Sequence, residues 1–297
     1  MPSSQVIQWG LLGLMAILFA LAFVLGLRHM REAALADSQG TKRRTNGAEP
    51  PATSMGLPAR TAVLLATLMG IALLAWRAIA LNSFLLPVSD PFDAFLLLGL
   101  LLAFVVVYFR WTRHLQSLSF FLLPMIAIIL LIGLFLSIAN PAANHEDYQQ
   151  IWTLLHVLAI VAGSFCFALG CVGGIVYLLA DRQLRHRGGT TPRWFGYPPL
   201  ASIEKFNRWM IYVGFPLLTV ATVAGILRIA QTHASGDAGH AGLGQMFKIV
   251  CGILAWTVYG VLVHVPLTPS FRGKRAAWLS VVGFALFIGA FVAARWN

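Results

Sequence analysis

Five ionisable side chains lie inside apolar runs of this sequence. They are His156 in WTLLHVLAIVAG, His264 at the close of AWTVYGVLVH, Lys248 in QMFKIVC, Arg228 in GILRIA and Arg77 in LAWRAIA. Such groups are costly in hydrocarbon, so each calls for a partner or a task. A neutral imidazole carries one N–H and one lone pair. It either holds a neighbouring helix by a hydrogen bond or serves as an axial ligand to a metal such as haem iron. Guanidinium and ammonium groups bind carboxylates, or snorkel to the headgroups. Other chemistry is not encoded: Cys166, Cys171 and Cys251 form no CxxC, CxxCH or zinc spacing, and there is no Walker A, GxGxxG or HExxH sequence. No residue is singled out as catalytic.

The elements that must position these groups are transmembrane helices. Of 297 residues, 59% are hydrophobic and 10% charged, and the mean hydropathy is +0.79. That balance excludes a water-soluble globular domain. About 20 apolar residues span a bilayer. Eight segments qualify, near Val6–Leu27, Thr61–Phe84, Phe92–Phe109, Ser119–Ile138, Ile151–Ala180, Trp209–Ala230, Gln245–Pro266 and Ala276–Arg295. The expected fold is therefore all-α, a polytopic membrane helix bundle. The first segment has an uncharged amino end and a positive flank after it, and is read as retained rather than as a secretory signal.

Charge orients the bundle. Lys and Arg cluster after spans 1, 3, 5 and 7, while Leu85–Pro91, Ala139–Gln150 and Gln231–Gly244 contain none. By the positive-inside rule the basic loops face the cytoplasm and both termini face outward. The net charge of +11 is then mostly an orientation signal, not a nucleic-acid footprint. Arg77, Arg228 and Lys248 all fall in the outer half, against that trend. Snorkelling is one account of each, and a shared anionic partner near the outer face is the other.

The histidines separate by depth. His29, His114 and His186 lie in basic loops, and His145, His233 and His240 in the opposite ones. His156 stands about one and a half turns into span 5 from outside. His264 lies roughly 25 Å along span 7 from Lys248, at 1.5 Å per residue. The two are therefore not expected to ligate the same iron: either there are two haem positions, or one histidine binds haem transiently and the other is structural. The small residues Ala159, Ala162, Gly163, Gly170, Gly173 and Gly174 let another helix or a flat ligand approach span 5 closely. Residues 1–60 read as one span plus a flexible basic linker, and 61–297 as a seven-helix core. In the later loop, the prolines of WFGYPPLASIEKFNRW stop one element, and Ser202 is placed to cap a short helix leading into span 6.

From about Trp152 to Trp296 the chain resembles the membrane cytochrome c assembly family, the haem-handling group that contains CcsA, CcmC and CcmF proteins. The resemblance rests on WTLLHVLAIVAG, YLLADRQLRHR, PPLASIEKFNRWMIYVGFPLLTVATVAGI, AWTVYGVLVH and FRGKRAAWLSVVGF, in that order. The PPLASIE connector and short chain bring it nearest the HemX/YpjD-like branch. The resemblance implies haem-iron ligation by His156 and His264, with haem b as the cofactor. Lys248, Arg228 and Arg77 become candidates for binding its propionates. It further implies a non-enzymatic role in cytochrome c maturation in a bacterial inner membrane, with membrane lipid and haem-handling or cytochrome c maturation proteins as partners. QMFKIVC stands where the family's haem handlers have a tryptophan-rich WDPKExW segment, and only Lys248 matches. The family's further histidine after the last span has no counterpart, the chain closing on AARWN. SDPFDAF stands at an acidic outer segment, with Asp93 as the matching acid in a first helical turn that tolerates one. A structural or regulatory scaffold without stable haem, or a permease or transporter subunit, are the alternatives.

Overall fold

The computed structural model describes residues 3–40, 56–80, 91–109, 116–139, 151–185, 199–234, 243–264 and 273–293. They form α1 (Ser3–Gly40), α2 (Leu57–Ala80), α3 (Pro91–Phe109), α4 (Gln116–Ala139), α5 (Ile151–Arg185), α6 (Leu200–Ala234), α7 (Leu243–His264) and α8 (Lys274–Ala293). No strand occurs among the described residues. Among the described residues six helices, α1 to α6, are long and apolar enough to cross a membrane, and α7 adds the shorter apolar stretch Ile249–His264. Their outward faces are apolar too: Leu64, Leu65 and Leu68 on α2, and Val220, Val223 and Ile226 on α6, are exposed. Lipid accepts such a surface, and helices satisfy their own backbone groups there.

Two boundaries differ from the sequence reading. The expected linker after span 1 begins as helix, because α1 continues through the alanine-rich EAALADSQG to Gly40. Alanine, glutamate and leucine are good helix formers, and nothing before Gly40 breaks the turn. The rest of that linker, 41–55, lies outside the described residues. Nor is there a separate short helix capped by Ser202. The N–H groups of Ser202 and Ile203 donate to the Pro199 carbonyl at 2.8 and 3.2 Å, so Ser202 sits inside the first turn of one unbroken 35-residue α6. Proline fixes the start, and SIEKFNRW contains no breaker to end it.

The helices close into two four-membered rings. In the first, α1 packs on α2 and α4, and α3 on α2 and α4; in the second, α5 packs on α6 and α8, and α7 on α6 and α8. Helix α5 joins the rings through α3 and α4. Its glycines permit the closest approaches. A methyl on Gly174 would stand 2.8 Å from the Ala277 carbonyl oxygen, and one on Gly163 would meet the α6 backbone at Leu218. At the centre of the second ring Phe167 stacks on Tyr259 at 3.6 Å and 14°, with Phe287 edge-on at 6.0 Å. Tyr259, the tyrosine of AWTVYG, is fully buried. The stack pins α5, α7 and α8 together and so fixes the register on which the site depends.

Candidate functional site

His156 faces α6. Its Nδ1 lies 2.6 Å from the Ala221 carbonyl oxygen, and a carbonyl only accepts, so Nδ1 must carry its hydrogen. In the neutral ring the lone pair then belongs to Nε2. Metal-binding histidines are commonly fixed this way, with one ring nitrogen donating to the protein and the other basic. Gly225 makes room for the ring: a methyl there would stand 2.9 Å from Cε1 and 3.0 Å from Nδ1. The imidazole is half-buried.

The antiparallel register of α5 and α6 places the neighbouring groups. Gly170 lies against Asn207 and Met210, Gly214 against Cys166 and Phe167, and His156 against Gly225. Continued outward by one turn, this register sets Thr153 of α5 level with Arg228 of α6. Helix α7 joins at Trp256, whose Nε1–H donates to Thr219 Oγ1 at 3.1 Å and whose ring lies 5.6 Å from that of Phe215. Lys248 is two turns outward of Trp256, about 12 Å along the helix. Its backbone therefore reaches the level of Arg228. Two cationic residues thus share the rim, and His156 lies about one turn deeper.

Arg77 is elsewhere. It belongs to the first ring, where its Nη2 donates to Asp93 Oδ2 at 3.0 Å, its Nε pairs with Oδ1, and its Nη1 donates to Gln8 Oε1 at 2.6 Å. The guanidinium also lies 4.8 Å from the centre of the Phe92 ring. Arg77 is 8% exposed and Asp93 is not exposed at all. The structure thus gives Arg77 an anionic partner within the chain.

His264 also lies away from His156. Its Nδ1 bonds the Gly260 carbonyl of its own helix at 2.8 Å, and the ring is exposed. Two residues earlier, Leu262 lines a cavity of about 30 Å³ with Tyr177, Asn207 and Arg208. From Asn207 to Ala221 is about 21 Å along α6. The two histidines stand at opposite ends of the second ring and do not face one another. Among the described residues no group of three His, Cys, Asp or Glu side chains gathers to hold a metal ion.

Three features were not legible as site elements. Tyr259 read as part of a pattern, not as the centre of an aromatic core. Asp93 read as a first-turn acid; its opposite charge at the outer end of the next span was the available clue to Arg77. Thr153 gave no signal beyond sharing a helix face with His156 at three residues' spacing.

The family of the Cytochrome C assembly protein matches residues 88–297, which takes in α3 through α8. The chain belongs to this family. The cytochrome c biogenesis protein CcsA of Heterosigma akashiwo is 22% identical over 247 residues, covering 71% of this chain and 73% of the relative. The CcsA of Guillardia theta is 22% identical over 67% of the chain and 70% of its own length. The inner membrane protein YpjD of Escherichia coli (strain K12) is 23% identical over 78% of the chain and 85% of the relative. No solved structure matches the chain. It is thus a multi-pass membrane protein of the cytochrome c assembly family, with similarity to both CcsA and YpjD proteins.

Proposed function

We propose that this protein acts in cytochrome c biogenesis by binding or guiding haem b at the outer ends of α5, α6 and α7, in a bacterial plasma membrane. His156 is the iron ligand, and Arg228 and Lys248 are the partners of the haem carboxylates. One observation carries the reading: the Nδ1–H of His156 is tied to the Ala221 carbonyl at 2.6 Å, which leaves Nε2 as the basic nitrogen. The residues fit haem, since a neutral imidazole suits iron and two cations at the rim suit two carboxylates. Haem, when bound, would supply an iron for His156 to hold and two carboxylates for the rim cations.

The protein's own contribution is binding and orientation. The Ala221 carbonyl fixes the tautomer and the ring plane. Gly225 lets the ring lie against α6, and the rim cations hold the polar edge of the cargo towards the headgroups. His264 would serve a second, inner position, and Arg77 supports the fold through Asp93. A haem-handling or cytochrome c maturation protein is the natural recipient of such a cargo. The test is a reduced-minus-oxidised spectrum with a pyridine haemochrome assay on protein purified from haem-replete cells. A b-type signal that His156→Ala abolishes is the expected result. Wild-type protein free of haem would refute stable binding and favour a scaffold that assists another haem handler.

A further inference from the structure

Thr153 is 1% exposed, and its Oγ1 is buried with no hydrogen-bond partner among the described residues. Helical threonines usually solve this locally. Thr67, Thr219, Thr222 and Thr257 each donate to the carbonyl four residues earlier, at 2.8 to 2.9 Å. Thr153 is the third residue of α5, which starts at Ile151, so no helical carbonyl stands four residues before it. A buried hydroxyl left in this way costs stability that a methyl group would not.

Its surroundings point to an anion. Thr153 lies in the first turn of a 35-residue helix, where the opening N–H groups have no intrahelical acceptor and the helix dipole is positive. Arg228 is level with it across the α5/α6 seam. The hydroxyl, the first-turn N–H groups and the guanidinium are all donors. His156 lies three residues further along the same face, about 4.5 Å deeper.

We propose that Thr153 is a ligand-binding residue, donating its hydroxyl hydrogen to a carboxylate of the haem whose iron His156 holds. The inference rests on the haem-binding reading above. It makes the first turn of α5 the carboxylate-receiving end of the site, with Thr153 giving the directional bond and Arg228 the charge.

The test titrates detergent-purified protein with haemin and with haemin dimethyl ester, which has the same iron and ring but no free carboxylates. Soret shifts are read for wild type, Thr153→Val, Thr153→Ser and His156→Ala, with thermal midpoints of the ligand-free proteins. Thr153→Val should bind haemin about tenfold more weakly, as expected for losing a hydrogen bond to a charged group. Thr153→Ser should stay within about twofold of wild type, because it keeps that donor. The dimethyl ester should bind wild type and Thr153→Val alike, and the ligand-free midpoint of Thr153→Val should equal or exceed that of wild type. Haemin binding unchanged in Thr153→Val, beside a Soret shift that needs His156, would overturn the assignment of Thr153 and leave the haem site standing. Equal losses for haemin and its ester, or a lowered ligand-free midpoint, would make the hydroxyl structural and overturn the assignment as well. A wild type with no His156-dependent Soret shift would overturn both the haem site and Thr153's part in it.

Discussion

The Arg77–Asp93 pair admits a quantitative test. Asp93 is fully buried and Arg77 is 8% exposed, so removing either partner takes the ion pair from a charge that solvent barely reaches. Breaking such a pair from one side typically costs about 3–5 kcal/mol, whereas replacing both partners with apolar residues of similar size is often neutral. Asp93→Ala also removes the carboxylate that both Nε and Nη2 of Arg77 engage. Asp93→Ala and Arg77→Met should therefore each lose about 3–5 kcal/mol, and the double variant Arg77→Met/Asp93→Leu should lie within about 1 kcal/mol of wild type. The assay is unfolding in mixed micelles by increasing SDS, followed by circular dichroism, with haem content measured on the same samples. A cost below about 1 kcal/mol for Asp93→Ala would refute the reasoning, since it would mean that the pair is solvated. Haem content adds a second discrimination. If Arg77 serves the fold through Asp93, the double variant keeps its haem. A stable double variant that has lost haem would return Arg77 to the cargo.

Three further outcomes follow from the site and the core. Arg228→Ala with Lys248→Ala should lower haem retention about tenfold or more, because the pair supplies the positive charge proposed to meet two haem carboxylates; unchanged retention would remove them from the site. Gly225→Ala places a methyl 2.9 Å from His156 Cε1 and should displace the ring and weaken its ligand field, visible as a smaller or shifted Soret band; an unaltered spectrum would mean that the ring is free to yield. Tyr259→Ala removes the fully buried half of the Phe167 stack and should cost about 3–5 kcal/mol in the same SDS assay. Tyr259→Phe should cost about 1 kcal/mol or less, because its hydroxyl reaches the Ser280 carbonyl only at 3.5 Å.

Much of the fold was legible because lipid imposes a single strong constraint, a run of apolar residues long enough to span. Pro91–Phe109 matches the expected span 3 almost to the residue, since proline and an acid mark its start and nothing apolar is wasted at its ends. The ends of α1 and α6 were less legible, because helix continues past the membrane wherever residues such as EAALADSQG or SIEKFNRW lack a breaker. The site was legible in part. Histidine in a span announces itself by its cost, and the depth separation of His156 from His264 followed from helical rise alone. Partner identity did not. Whether Arg77 meets a ligand or Asp93 depends on which helices are neighbours, and that is decided by packing between residues far apart in sequence. Thr153 was silent for a different reason. A threonine among apolar residues ordinarily bonds its own helix, and only its position in the opening turn takes that option away.

The division of the chain into two rings bears on what the family match means. The matched region begins at residue 88, just before α3, so α1 and α2 lie outside it while the whole ring of α5 to α8 lies within. Yet α3 and α4 do not close a bundle by themselves. Leu12, Met15 and Phe19 of α1 and Ala62, Val63 and Ala66 of α2 are buried in the same core as Leu96, Leu102, Leu122 and Ile126 of α3 and α4. Asp93, inside the matched region, is neutralised by Arg77 from α2, which is in turn held by Gln8 from α1. The first two helices are thus counterparts that α3 requires, supplying both its apolar neighbours and the counter-charge for its acid. Helix α5 then carries that order across to the second ring, where the position of His156 depends on how α5 sits against α6. The proposed haem site at the outer end of α5 thus lies on a helix that packs on α3 and α4 of the other bundle, although neither Arg77 nor Asp93 belongs to that site.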